Sequence, residues 1–246
     1  MTMICLAGLA MGWINNIAGA AGALGLIAFQ QFTDLDQVAV NASLRLAAAV
    51  GSVCGILGFL SKGQRIPGHL WAFGAMTLPG AVLGSVLGVE LPAIVWQLTV
   101  LSVLIFVLAQ QMVHPREPGV AEGQPETARW LLFVLFTWLG MHMGFVQIAT
   151  GQVAMLILTV VHSRDLVQVN CAKMVVVLFA AVTSAGSYAA MGAVEWHPAA
   201  LLALGSGTGS FLASRWSVRM GHEALRIVVV GICVAVLGIL SWQWFA

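Results

Sequence analysis

The sequence predicts an all-α integral membrane protein of two inverted repeats, and three observations predict it. Sixty per cent of the 246 residues are hydrophobic and 8% are charged, where a soluble domain carries roughly 25% charged residues. The apolar residues fall into runs long enough to cross a bilayer, which takes about 20 residues each. The second half of the chain also repeats landmarks of the first. A mean hydropathy of +0.97 leaves no room for a water-soluble domain.

In chain order the apolar segments are roughly 3–31, 38–60, 70–88, 92–112, 130–161, 166–191, 197–213 and 224–245. The first begins without a basic residue, so it reads as mature membrane domain rather than a secretory signal. Segments 3–31 and 130–161 are too long for one span and too short for two. Small or polar residues interrupt each: Gly12, Asn15, Asn16, Gly19 and Gly22 in the first, Gly140, His142, Gly144, Gln147, Thr150, Gly151 and Gln152 in the second. Two half-helices of about 14 residues rise about 21 Å each, short of a hydrocarbon core. Irregular backbone at that depth survives only where protein or a water-filled cavity covers it. The two breaks are therefore the expected site.

Residues 113–129 (VHPREPGVAEGQPETAR) read as a polar cytoplasmic linker. They divide a first transmembrane repeat, 1–112, from a second, 130–246. At an offset of 129, Asp36 and Asn41 match Asp165 and Asn170, Gly63 matches Gly192, and the run from Gly80 to Leu83 matches that from Gly209 to Leu212. Such duplication marks many transporters.

The basic residues orient the chain. If each broken segment re-enters and leaves on one side, each repeat has three full spans and the repeats are inverted. Lys62, Arg65, Arg116, Arg129, Arg164, Arg215 and Arg219 then all face the cytoplasm, and Asp34, Asp36, Glu90 and Glu195 face outside. If each segment crossed once, Arg164, Arg215 and Arg219 would move outside, against the positive-inside rule. A thin pair of spans in each half satisfies the same charges.

Two cations stand about eight residues inside their segments: Arg45 and Lys173. Each shares a helix face with an asparagine, Asn41 at i−4 and Asn170 at i−3. In an inverted repeat they would converge near the midplane. A charge there costs about 2.5–3.5 kcal/mol on the mildest scale, and no Asp or Glu lies deep in an apolar segment to pair with it. An imported anion would fill that role, helped by the positive ends of half-helices starting near Gly22 and Gly151. The other readings are snorkelling toward the headgroups, helix–helix hydrogen bonding by Asn41 and Asn170, and satisfaction of freed backbone by Asn15, Asn16 and Gln147. His142 is the one histidine in an apolar run and the candidate for proton coupling.

Other features read as structure. The Gly80-x3-Gly84 pattern and its like in 197–213 serve close helix packing. Trp71, Trp96, Trp130, Trp196, Trp242 and Trp244 form an aromatic belt. Cys5, Cys54, Cys171 and Cys233 are isolated, and no Cys/His spacing suggests a metal or other cofactor. A net charge of +1 does not point to nucleic acid. A membrane enzyme would show clustered histidines or carboxylates on one face, and none is present, so no catalytic residue is assigned.

These residues resemble a known family. Gly12-x3-Asn16-x2-Gly19-x2-Gly22 and Gly140-x3-Gly144-x2-Gln147 are similar to the glycine-rich motifs of TauE/SafE sulfite exporters, the toluene-sulfonate uptake permeases. Ser43-Leu-Arg45-Leu46 and Cys171-Ala-Lys173-Met174 resemble that family's polar stretch in the first long helix of each half, and Gly80 to Gly84 its Gly-Ala-x-x-Gly segment. Asn16 and Gln147 stand where that family usually has glycine. The resemblance implies alternating-access transport, export or uptake, of sulfite, sulfoacetate or related sulfonates in the bacterial inner membrane. A passive anion channel and a carboxylate transporter are the alternatives. The expected binding residues are Arg45, Lys173, Asn41, Asn170, Asn16, Gln147, Gly22, Gly151 and Ser43. Coupling to H+ or Na+ and a homodimer stay open.

Overall fold

The computed structural model describes residues 2–19, 22–92, 128–147, 150–163 and 165–219, with scattered positions between 94 and 105 and at 231, 234 and 238. Most of segments 92–112 and 224–245, the linker up to residue 127, and Arg116, Arg164, Cys233, Trp96, Trp242 and Trp244 lie outside the described residues. Those described form helices without a strand: α1 (Thr2–Ala18), α2 (Gly22–Phe32), α3 (Gln37–Leu60), α4 (Gly68–Met76), α5 (Leu78–Glu90), α6 (Arg129–Phe145), α7 (Thr150–Val161), α8 (Leu166–Ala190) and α9 (Trp196–Ser217).

The duplicated sequence landmarks are the ends of α3 and α8. Asp36 caps α3 by accepting the Ala39 N–H at 2.7 Å, and Asp165 caps α8 by accepting the Val167 N–H at 2.9 Å. Beyond the other ends, Gly63 and Gly192 take positive φ, 77° and 71°. There the N–H of Gln64 donates to Phe59 O and that of Ala193 to Tyr188 O, while each glycine N–H closes the inner bond of a Schellman motif. The matched glycines thus stop the two long helices in the same way.

Both long broken segments are helix pairs, with a longer first leg than expected: 17 then 11 residues in α1–α2, and 17 then 12 in α6–α7. A 17-residue leg is about 25 Å long, still short of a core of about 30 Å. Segment 70–88 departs from the expected single helix. It bends at Thr77, because Pro79 near the start of α5 has no N–H for the preceding turn. Thr137 of α6 donates to the neighbouring Met76 carbonyl at 3.1 Å.

Glycine contacts fix how the helices run. Gly8 and Gly12 of α1 lie on the backbone of Leu202 and Ser206, and Gly205 and Gly209 of α9 lie on that of Cys5 and Leu9. The same arrangement recurs where Gly140 and Gly144 of α6 meet Thr77 and Ala81, and Gly80 and Gly84 meet Thr137 and Met141. A Cβ at any of these would strike partner backbone, so the small-residue patterns do serve packing. The rising order of the contacts makes α1 parallel to α9 and α6 parallel to α5. Helix α3 also runs parallel to α9, with Gly51, Gly55 and Gly58 against Ser206, Ser210 and Ser214. In contrast α3 and α8 run antiparallel, since Asn41 meets Tyr188 and Gly55 lies toward Met174.

The apolar core lies between α3, α6, α7 and α8, with a second cluster of α1, α2 and α3 against Leu202 and Ala203. The outer surface is apolar too: Leu57, Leu83, Val134, Val160, Val182 and Leu204 are exposed. Water would not tolerate such a surface; hydrocarbon does. Helices Gln37–Leu60, Leu166–Ala190 and the bent Gly68–Glu90 are long and apolar enough to span a bilayer. Trp71, Trp130 and Trp196 stand exposed near the starts of α4, α6 and α9, as interfacial residues would.

Candidate functional site

The two helix breaks meet inside the bundle. Gly19 turns the chain out of α1 with φ 73°, and it packs on the start of α7. A Cβ on Gly19 would stand 2.6 Å from the Gln152 nitrogen, and one on Gly151 would stand 3.0 Å from the Gly19 oxygen. Only glycine allows this approach. Gly22 begins α2 and Gly151 lies in the first turn of α7, where backbone N–H groups lack intrahelical acceptors.

At a helix's other end the last carbonyls are orphaned, and α1 and α6 both end inside the bundle. Each is capped by a cation and an asparagine from the opposite half. Lys173 of α8 donates to Asn15 O at 3.0 Å and Asn16 O at 2.6 Å, and Asn170 donates to Ile17 O at 3.5 Å. Arg45 of α3 donates to Met143 O and, at 2.9 Å, to Gly144 O, and Asn41 donates to Phe145 O at 3.1 Å. Each cation also bonds its own asparagine, Arg45 to Asn41 Oδ1 at 3.0 Å and Lys173 to Asn170 Oδ1 at 2.9 Å. The unequal i−4 and i−3 spacings are thus absorbed by the length of the side chains. Both cations are fully buried, and no carboxylate among the described residues pairs with either.

The two caps are distinct places. In the antiparallel register of α3 and α8, the residue facing Lys173 falls near 56. That is about 11 residues, or about 16 Å, along the helix from Arg45. The expected convergence of the cations on one point does not occur, because each is drawn to the helix end nearest it.

The remaining expected residues divide. Gln147 joins the Arg45 cap, its Oε1 accepting from Nη1 at 2.6 Å. Asn16 lies at the Lys173 cap and donates through Nδ2 to Ser210 O at 3.2 Å and Ser210 Oγ at 3.1 Å; its Oδ1 has no partner. His142 is buried beside Arg45, stacked on Trp138 at 6.1 Å between ring centroids. Its Nε2 and the Nε of Arg45 have no hydrogen-bond partner. Ser43 belongs to neither cap, for its hydroxyl accepts the Glu195 N–H at 3.1 Å where α9 starts.

Sequence reasoning missed Tyr188. Its hydroxyl donates to Gly144 O at 3.2 Å and accepts from Asn41 at 3.0 Å, and its ring lies 5.5 Å from the Arg45 guanidinium carbon. It is the one tyrosine of the chain and sits in an apolar run, which was the available signal. Ser206, Ser210 and Ser214, spaced by four on α9, were a second such signal: Ser206 donates to Ala47 O at 2.9 Å.

A helical bundle with an apolar exterior, buried cations and two broken helices that meet at its centre defines a multi-pass membrane transporter. More particularly, the chain belongs to the sulfite exporter TauE/SafE family, whose model matches residues 4–240. It is 21% identical over 238 residues to a protein described as probable membrane transporter protein ORF9 from Sinorhizobium sp, an alignment covering 96% of this chain and 91% of that protein. No solved structure matches it.

Proposed function

We propose that this protein is a secondary transporter, acting as an exporter, of small sulfur-containing anions such as sulfite, sulfoacetate or other sulfonates in the bacterial inner membrane. Its repeats, 1–112 and 130–246, are inverted about the helix breaks and joined by a cytoplasmic linker, and they alternate access by rocking against each other. The antiparallel run of α3 and α8 and the reciprocal packing of each first leg on the other half support the inversion. The parallel run of α3 and α9 supports broken segments that leave on the side where they enter, as re-entrant hairpins or thin pairs of spans do, since a single crossing by each would make these helices antiparallel.

The carrying observation is the charge at the caps. A buried cation contributes +1, and a helix C-terminus offsets only about −0.5 of it. With no carboxylate partner among the described residues, each cap keeps a net positive field in a low-dielectric interior. A small anion is the complement. Asn41 and Gln147 at the Arg45 cap, Asn170 at the Lys173 cap, and the first-turn N–H groups at Gly22 and Gly151 would supply hydrogen bonds to an anion held at either place. His142 is the proposed proton-coupling group.

The reading is tested on purified protein by thermal shift against sulfite, sulfoacetate, taurine, sulfate and simple carboxylates, followed by flux from liposomes. Sulfite or sulfonates should raise the melting temperature, and counterflow should saturate. A protein that none of these anions stabilises does not have this function. Stabilisation by carboxylates alone moves the substrate class, and flux that neither saturates nor follows an ion gradient makes it a channel.

A further inference from the structure

We infer that the duplicated site has diverged: the anion binds at Arg45 and His142, while Lys173 is a permanent helix cap. This rests on the transport reading above and assigns its substrate to one of the two cation sites.

A count of donors separates the sites. An ammonium has three N–H donors, and Lys173 spends all three, on Asn15 O, Asn16 O and Asn170 Oδ1. Nothing remains for a ligand unless the cap breaks. A guanidinium has five donors, and the four on Nη1 and Nη2 of Arg45 go to Met143 O, Gln147 Oε1, Asn41 Oδ1 and Gly144 O. The fifth, on Nε, is fully buried and unpartnered. So Arg45 holds its helix end and keeps one charged donor in reserve.

The second orphan at that site has matching chemistry. His142 Nε2 is buried and unpartnered, on the same turn of α6 as the carbonyls that Arg45 holds. With its proton on Nε2 a neutral imidazole is a second donor. Buried polar atoms without partners are rare and often mark an absent ligand or water. A sulfite, sulfonate or carboxylate, which carries two or more acceptor oxygens, would accept from such donors.

The orphan at the Lys173 site has the opposite sense. Asn16 Oδ1 is an acceptor, and its orientation is fixed because Nδ2 donates to the Ser210 carbonyl. An acceptor repels an anion and suits a water. One site thus offers spare donors and the other a spare acceptor.

The test measures sulfoacetate and sulfite affinity by calorimetry on protein shown to be monodisperse, with its melting temperature recorded. Arg45→Lys keeps the charge and loses the Nε donor; His142→Gln replaces the ring while keeping a polar group. Each should weaken binding at least tenfold at unchanged dispersity. Lys173→Arg and, should that variant not fold, Ser210→Ala should stay within twofold of the unmodified protein. The assignment is overturned if H142Q binds like the unmodified protein, which would leave water between the two orphans, or if the Lys173-side variants lose as much as R45K. Unmodified protein that binds neither anion overturns the transport reading as well as this site. Binding that survives R45K and H142Q overturns this site alone.

Discussion

The long leg of the first hairpin, α1, lies in a cradle made by the second half, and the long leg of the second, α6, lies in a cradle made by the first. Both cradles present glycines to the long leg and a cation–asparagine pair to its end. They differ in what completes the cap. The Lys173 cradle adds small serines, with Ser210 on Asn16. At the Arg45 cap the second half itself adds Gln147, Tyr188 and, nearby, His142. Both caps do one structural task, ending a helix inside the bundle, and only at the Arg45 cap are spare donors found among the described residues.

The glycine seams should be the most sensitive part of both cradles, and equally so. Gly12→Val and Gly140→Val each force a branched side chain onto partner backbone that has no rotamer to yield. Overpacking costs about 1–3 kcal/mol and more where backbone must move, so the expected loss is about 3 kcal/mol or greater. Fluorescence-detected size exclusion should show little folded protein for either variant. If one alone folds, the cradles are not equivalent in packing.

Removal of the cations comes next. Lys173→Met orphans Asn16 O and Asn170 Oδ1, whereas Asn15 O keeps the Gly19 N–H. Arg45→Met orphans Met143 O, Gln147 Oε1 and Asn41 Oδ1, while Gly144 O keeps Tyr188 and Phe145 O keeps Asn41. At about 1–3 kcal/mol for each buried acceptor left without a partner, Lys173→Met should lose at least about 2 kcal/mol and Arg45→Met, which orphans more acceptors, at least about 3 kcal/mol. Denaturation in mixed micelles would measure it. A large loss from one and none from the other would mean that only one cation serves as a cap.

Much of this was legible in the chain, for reasons that separate local from tertiary information. The helix breaks declared themselves because glycine and amides in an apolar run have few other uses, and Gly63 and Gly192 declared the ends of α3 and α8 by a shared offset. The depth of Arg45 and Lys173 followed from counting residues. Their partners did not, because a backbone carbonyl carries no sequence signal: nothing in Met143 or Gly144 says that its oxygen faces a guanidinium from α3. The bend at Thr77 was hidden inside an unbroken apolar run, although Pro79 marked it. Tyr188 was passed over because an aromatic in an apolar run usually packs by its ring, and here the hydroxyl is what α6 uses.

That hydroxyl gives a finer comparison. Tyr188→Phe leaves Asn41 Nδ2 one acceptor fewer and Gly144 O one donor fewer, while the ring over Arg45 stays. The net worth of such bonds is about 0.5–1.5 kcal/mol each, so a loss of about 1–2 kcal/mol is expected. Ser210→Ala at the other cap should cost less, because Asn16 Nδ2 retains the Ser210 carbonyl. Melting temperatures in one detergent would rank them, and a reversed order would deny Tyr188 its part in the cap.

The bases of the hairpins should differ least, and by pH. His162, where α7 ends, shares a 3.1 Å hydrogen bond with His69 at the start of α4, and Arg65 and Cys171 line the same small cavity as His162. Burial, and then the neighbouring His69, pushes the His162 pKa below its ordinary value. A depressed histidine adds stability that is fully present above its unfolded pKa of about 6.5 and is lost as pH falls through the lower folded value. The size is small, for the ring is half-exposed and solvent screens it. The first hairpin has no histidine at its base; there the Thr33 hydroxyl turns back onto Phe29 O at 2.6 Å. Amide exchange, corrected for intrinsic rate, should therefore quicken between pH 7.5 and 5.5 at residues 158–163 and not at 29–36. His162→Gln should remove the difference. An equal response at both bases would place the pH sensitivity elsewhere in the bundle and return the two hairpins to equivalence on that face.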